Sequence, residues 1–334
     1  MTVADIQHVA VIGSGAMGAH IGMVCALAGC RVTLVDLSAD ALDRANTALQ
    51  QFTQRSVDKG KLTEFERISA FERLTFSSEL APSVADADLV IEAVVEKLDV
   101  KRELFADLDG LCPPHTILAS NSSSLMPSQL ADATRRPDRV VNLHFFNPAL
   151  IMRCVEVVRG PATSDETQAA AVAFVHRIGK EPVVLKKEIP GFIANRILNA
   201  VRDEAIDLLE GGVADVADID RACRTALGYP MGPFELMDLT GLDIGYYVKK
   251  ARFELTGDPR DQPQRSLAER VESGRLGRKT GHGWYRYDEH GAKDPQGGTA
   301  QYDNTKSETT ERHTTERHNT ENDNTEHDNA AEEN

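Results

Sequence analysis

Apolar positions fall into two alternating patterns over about the first 185 residues. Short unbroken runs of β-branched and aliphatic residues at 9–12, 31–35, 89–93, 116–119 and 140–143 predict buried strands. Between them, 16–28, 39–59 and 97–111 repeat apolar residues at helical spacing. Thr63 stands where it can cap a further helix over 64–70, making a helical hairpin inserted after the second strand. Alternating β and α units imply parallel pairing with right-handed crossovers. The pattern therefore predicts an α/β fold, a Rossmann-type doubly wound parallel sheet.

From Ile189 the pattern changes. Residues 192–210, 216–227, 234–240 and 242–256 are helical in period, no strand pattern appears, and Pro190-Gly191 offers a joint. The expected organisation is a dinucleotide-binding domain over 1–188, an all-α C-terminal domain over 189–288, and a tail over 289–334. The tail carries a degenerate five-residue repeat, TTERH at Thr309 and Thr314, NTEND at Asn319 and NTEHD at Asn324. Too polar to offset the entropy of ordering, it is expected to be disordered. His313, His318 and His327 could be read as a metal tract, but a solvated polar tail is the plainer account.

Charge narrows the class. The chain carries a net −15, seven of those charges in 301–334, which argues against a basic nucleic-acid-binding face. No apolar stretch approaches the roughly 20 residues of a membrane-spanning helix. Residues 1–12 lack the basic region and cleavage site of a signal peptide. Cys25, Cys30, Cys112, Cys154 and Cys223 are scattered without a CxxC pair, which suits reduced thiols and a cytoplasmic location and offers no metal site.

The sharpest chemical signal is HVAVIGSGAMG from His8, an apolar strand running into Gly13-x-Gly15-x-x-Gly18 at the start of a helix. Gly13 permits the turn, Gly15 lets backbone approach a pyrophosphate, and Gly18 lets helix pack on strand. The helix N-terminus offers unpaired N–H groups to the phosphates. Asp36, ending the next strand, can bond both adenosine ribose hydroxyls and repel a 2′-phosphate, which favours NAD over NADP. Ala16 and Met17 inside the motif and Ala93 at the end of the 89–93 run join these as expected cofactor-binding positions.

A second signal runs from Val140, VVNLHFFNPALIMRCVEVV. His144 and Glu156 lie symmetrically about Leu150, so a chain folding back there sets them opposite one another. A carboxylate-oriented histidine suits a general base for an alcohol proton. The spacing alone fits a purely structural histidine equally well. Ser120-Asn121-Ser122-Ser123-Ser124 follows the 116–119 strand, where Rossmann-type ligands bind, although such a loop can also simply cap the next helix.

These segments together resemble the 3-hydroxyacyl-CoA dehydrogenase family over nearly all of residues 6–288. Beside the glycine motif, the resemblance rests on EAVVEKLDVKRELF from Glu92, ASNSSSL from Ala119 and HFFNP from His144. It also rests on PGFIANRIL from Pro190, GYPMGPFELMDLTGLD from Gly228 and GRKTGHGWYRY from Gly277. It implies oxidation of (S)-3-hydroxyacyl-CoA to 3-ketoacyl-CoA by NAD. His144 is implied as the base for the 3-hydroxyl proton and Glu156 as the acid that orients it. Ser123, Asn195 and Asn147 are implied to meet the substrate, Asn121 the nicotinamide, and Glu96 and Lys101 the nicotinamide-side ribose. The second domain is implied to make a homodimer, and a stand-alone chain of this kind leans toward short acyl chains. Near Leu150 and Cys154 the sequence departs from many relatives, which carry a second proline and an aliphatic residue there; Trp284 replaces a common Phe. Arg55, Lys59 and Lys61 could meet CoA phosphates or form a solvated helix face. Two rival readings share the framework. One is a dehydrogenase of a small hydroxy acid such as carnitine or gulonate, the other a non-catalytic, crystallin-like NAD-binding protein. Phe145 and Phe146 speak against the first, and retention of His144, Glu156, Ser123 and Asn195 against the second.

Overall fold

The computed structural model describes residues 6–294. The repeat segment and its histidines lie outside the described residues. In chain order the first elements are β1 (His8–Ile12), α1 (Ala16–Leu27), β2 (Arg31–Val35), α2 (Ala39–Asp58), α3 (Glu64–Glu72) and β3 (Leu74–Ser77). Next come α4 (Leu80–Val84), β4 (Leu89–Glu92), α5 (Leu98–Leu111), β5 (Ile117–Ser120), α6 (Pro127–Ala131), β6 (Val140–Phe145), β7 (Cys154–Arg159), α7 (Asp165–Arg177) and β8 (Glu181–Leu185). The last are α8 (Ala194–Glu210), α9 (Val216–Ala226), α10 (Pro233–Thr240), α11 (Leu242–Thr256) and α12 (Arg265–Glu272). Two compact units meet between Ile197 and Leu198, inside α8.

The first unit is built on one eight-stranded sheet of order β3-β2-β1-β4-β5-β6-β7-β8. Pairs from β3 through β6 are parallel, as the alternating pattern requires. The sheet is not parallel throughout, because β7 returns antiparallel to β6 and β8 follows β7. The reason is length. The connection from Phe145 to Cys154 is far shorter than the dozen or so residues that a parallel crossover needs. The inserted hairpin forms as α2 and α3, and Thr63 caps α3 in a reciprocal box with Glu66, its Oγ accepting from the Glu66 N–H at 3.2 Å. Alternate strand residues feed two cores. Val9, Val11 and Leu34 face one side with Phe174 of α7, while Ala10, Val90 and Leu118 face the other with Phe105 and Leu108 of α5.

The second unit packs α8 to α12 around Ile206, Leu209, Phe234, Met237, Leu267 and Trp284. Two buried carboxylates tie its last segment in. Asp238 accepts from the backbone N–H groups of Trp284 and Tyr285 and from the Tyr287 hydroxyl. Asp220 accepts from the Tyr285 hydroxyl and from the N–H groups that open α10. The guanidinium of Arg270 lies 3.8 Å over the Trp284 ring. Residues 289–294 form a turn in which Lys293 pairs with Glu235, so the described chain runs six residues past the expected domain end at 288.

Candidate active site

The turn after β1 is shaped for close backbone approach. Gly13 has φ +103°, and a Cβ there would lie 2.6 Å from the Ala93 carbonyl oxygen. At Gly18 a Cβ would lie 1.8 Å from the Gly13 oxygen, so α1 touches the strand only because both residues lack side chains. Gly15 is different: nothing stands within 4 Å of its hypothetical Cβ. It is also the N-cap of α1 with no side-chain cap, which leaves the helix N-terminus open to an anion. Ala16 is exposed beside it and Met17 is half-buried.

Asp36 closes the far side of this turn. Its Oδ2 accepts from Ser14 N–H and Oγ–H, both at 2.8 Å, and its Oδ1 from Ser38 N–H at 3.0 Å. Burial opposes its ionisation, but these bonds and the nearby Arg44 charge outweigh that and hold the carboxyl below its ordinary range. The donor set and the room at Gly15 fit a dinucleotide with a free adenosine ribose.

Beyond β4 and β5 lies a polar cluster. Glu92 is wholly buried and accepts from Lys101 Nζ at 2.7 Å, Val94 N–H at 2.7 Å and Ser120 Oγ–H at 2.6 Å. Lys101 is buried too and bonds Glu96 Oε2 at 2.9 Å. Glu96 Oε1 gathers the following loop, accepting from the Ser122 hydroxyl, the N–H groups of Ser123 and Ser124, and the Ser124 hydroxyl. Burial works against the Glu96 charge, but Lys101 and the serine hydroxyls pull its pKa down to about 2. Asn121 Oδ1 accepts from the N–H of Phe145 at 2.9 Å, which joins this loop to the end of β6, and Ser123 itself is exposed.

His144 sits on β6 directly opposite Glu156 on β7. Its Nδ1 lies 2.8 Å from Glu156 Oε2, and both residues are buried. The other carboxylate oxygen, Oε1, accepts from Ile193 N–H at 2.9 Å and Ala194 N–H at 2.8 Å, at the N-terminus of α8. Burial disfavours ionised Glu156, yet His144 and these two N–H groups overcome it and lower the carboxyl pKa. An ionised carboxylate only accepts, so the hydrogen of this contact sits on Nδ1, and in the neutral ring that leaves Nε2 as the acceptor. The rings of Phe146 and Phe192 lie 4.5 and 5.4 Å from the imidazole, centroid to centroid. Asn147 is exposed at the reversal after β6, and Asn195 is half-buried in the first turn of α8, next to Ala194. Arg55, Lys59 and Lys61 lie exposed at the tip of the α2–α3 hairpin. Among the described residues none of the three is in a salt bridge, and no contact ties them to the His144–Glu156 pair.

Two sequence models of one family match consecutive parts of the chain, the NAD binding domain of 3-hydroxyacyl-CoA dehydrogenase over residues 8–189 and its C-terminal domain over 191–287. The chain belongs to the 3-hydroxyacyl-CoA dehydrogenase family. It is an NAD-dependent oxidoreductase acting on CH–OH groups. The mitochondrial hydroxyacyl-coenzyme A dehydrogenase of Homo sapiens is 43% identical over 289 residues, 84% of this chain and 91% of that protein. The probable 3-hydroxybutyryl-CoA dehydrogenase of Bacillus subtilis is 39% identical over 285 residues, 85% of this chain and 99% of that one. The crystal structure of (S)-3-hydroxybutyryl-CoA dehydrogenase from Ralstonia eutropha matches with a TM-score of 0.79 and 38% identity, over 85% of this chain and 100% of its own.

Within this 3-hydroxyacyl-CoA dehydrogenase fold, three residues of the site went unnoticed in the sequence, Glu92, Asn142 and Phe192. Glu92 ends a strand run, and Asn142 inside β6 donates to the Ser122 carbonyl at 2.9 Å. Ser122, already part of the polar run singled out after that strand, is buried along with Ser120. Phe192 is held at φ +48° against the imidazole. The one signal available for Glu92 and Asn142 was a hydrophilic residue interrupting an otherwise apolar run.

Proposed function

We propose that this dehydrogenase oxidises (S)-3-hydroxyacyl-CoA, of short acyl chain, to 3-ketoacyl-CoA reversibly, with His144 as the general base. The observation that carries this reading is the buried His144–Glu156 contact of 2.8 Å at the end of β6. Glu156, anchored by the N–H groups of Ile193 and Ala194, keeps the imidazole in the tautomer whose Nε2 can take the 3-hydroxyl proton. It also stabilises the imidazolium once that proton has moved. Bound NAD, held at Gly13, Gly15, Gly18, Ala16, Met17, Ala93 and Asp36, supplies the hydride acceptor. Ser123 and Asn195 bond the substrate oxygen, Asn147 lines the substrate side, and Asn121 and Glu96 face the nicotinamide half. Phe146 and Phe192 fix the ring plane and keep water from it. Arg55, Lys59 and Lys61 meet the CoA phosphates by charge.

The reading includes a cytoplasmic homodimer whose partners are acyl-CoA thioesters, with no nucleic acid or membrane. Ile244, Tyr247 and Val248 support the dimer, an apolar stripe on α11 that is 55%, 61% and 46% exposed. The test is NADH oxidation with acetoacetyl-CoA, with free acetoacetate and NADPH as controls. Turnover that needs both the thioester and NADH is expected. Turnover of free acetoacetate at the same rate would overturn the CoA assignment.

A further inference from the structure

Asn142 lies inside β6, two residues before His144 and therefore on the same face of the strand. It is wholly buried, and its register partner is Ser120, which ends β5 where the serine loop begins. Its Nδ2 donates to the Ser122 carbonyl at 2.9 Å, while its Oδ1 has no hydrogen-bond partner among the described residues. Burying an amide for one bond is costly, and a leucine of similar volume would serve stability about as well. What Asn142 supplies is a fixed peptide. The Ser122 carbonyl and the Ser123 N–H belong to one planar unit. Asn142 holds its oxygen, and Glu96 Oε1 takes its N–H at 3.0 Å. Gripped from both sides, this plane cannot rotate, and its direction sets where the exposed Ser123 side chain starts. A second lace runs the other way, with Asn121 Oδ1 in the loop accepting the Phe145 N–H of β6 at 2.9 Å. The two laces reach β6 at 142 and 145, on either side of His144.

We propose that Asn142 is a positioning residue that sets the Ser123 hydroxyl against the His144 imidazole through the Ser122–Ser123 peptide. Buried itself, it acts on the reaction only through that hydroxyl. This rests on the reading above in which Ser123 bonds the substrate oxygen.

Coupling between the two residues gives the test. Asn142→Leu removes the donor at similar volume, and kcat for acetoacetyl-CoA with NADH should fall about tenfold, within what a small misplacement of a reactive group costs. In a Ser123→Ala background the same change should lower kcat less than about twofold, because the hydroxyl that Asn142 places is already gone. An equal fall in both backgrounds, or an unchanged kcat in the first, overturns the proposal. Asn142→Ala runs the same cycle if the leucine does not fit. A chain that folds with neither marks a packing residue, and that too overturns it. If the wild type is inactive on acetoacetyl-CoA, it is the substrate reading that fails. Hydrogen exchange then decides on Asn142. The Ser123 and Ser124 amides should exchange at least about fivefold faster in Asn142→Leu, and unchanged rates overturn the positioning role.

Discussion

His144 and Glu156 are cross-strand partners in the β6–β7 register, and this pairing alone brings Nδ1 to 2.8 Å from Oε2. A slip of one residue would turn Glu156 to the other face of the sheet. The backbone bonds of the hairpin therefore hold the dyad. His144→Gln should lower kcat at least about a thousandfold, within the range expected for a lost general base, with NADH affinity near normal. Glu156→Gln should cost less, about a hundredfold, because the base survives but loses its orienting charge. Steady-state rates with a parallel NADH titration check both, and an active His144→Gln enzyme would remove His144 from the mechanism.

Asp36 serves two parties, the Ser14 turn and the expected adenosine ribose. Asp36→Ala should weaken NADH binding and bring the NADH and NADPH values of kcat/KM closer together, since the charge that repels a 2′-phosphate is gone. An unchanged cofactor ratio would exclude Asp36 from that discrimination.

The three motif glycines should separate by their surroundings. Gly18→Ala forces a methyl to within 1.8 Å of the Gly13 oxygen, and overpacking of this kind costs about 1–3 kcal/mol or more. Gly15→Ala meets no atom within 4 Å and should fold normally while binding NADH poorly. Thermal melts and NADH titrations of the two variants should therefore move in opposite order; equal melting temperatures would contradict the packing described.

Acid should loosen the first unit before the second. Each resolved carboxyl shift among the described residues of the first unit is downward, at Asp36, Glu66, Asp86, Glu96, Asp109 and Glu156. A carboxyl with a lowered pKa in the fold adds stability above its unfolded value and loses it as pH falls through its folded one. In the second unit Glu235 and Asp258 behave likewise, but burial raises Asp220 and Asp238, whose contribution grows as pH falls. Hydrogen-exchange protection in β4 to β6 should fall, on acidification from about pH 4 towards about pH 2, before the emission of Trp284 shifts. Trp284 is the single tryptophan of the chain and belongs to the second unit, so simultaneous loss would count against the argument.

What the sequence showed, and what it hid, follows from burial. The 9–12, 31–35 and 140–143 runs became central strands because their residues are buried on both faces and read as unbroken apolar runs. β3 and β8 are the two edges of the sheet, and their half-exposed LTFS and EPVVL carry no such signature. In α12 only Leu267 and Val271 mark a helical face among the charges of RSLAERVE. The glycine turn and Asp36 were legible because each job admits few residue types, and the His144–Glu156 pairing because hairpin symmetry about Leu150 is a sequence property. The resemblance sets Lys101 beside the nicotinamide-side ribose, and the structure adds two carboxylate partners, one of them Glu92, which the sequence leaves as part of a strand. Nothing in a linear pattern shows that such a lysine is also held between two carboxylates.

The knot at Asp220 and Asp238 also sets an order of assembly. All five helices of the second unit precede residues 284–287, yet those residues supply three donors to Asp238 and complete the set on Asp220, which α10 begins. During synthesis the helices emerge before the donors that 284–287 bring to Asp238, a carboxyl that is costly to bury without partners, so their packing tightens when that strap arrives. The sheet-based unit has by then been completed through β8. A growing chain thus presents a finished nucleotide-binding unit tethered to an open helical one, and the second unit locks only when Trp284, Tyr285 and Tyr287 thread into place.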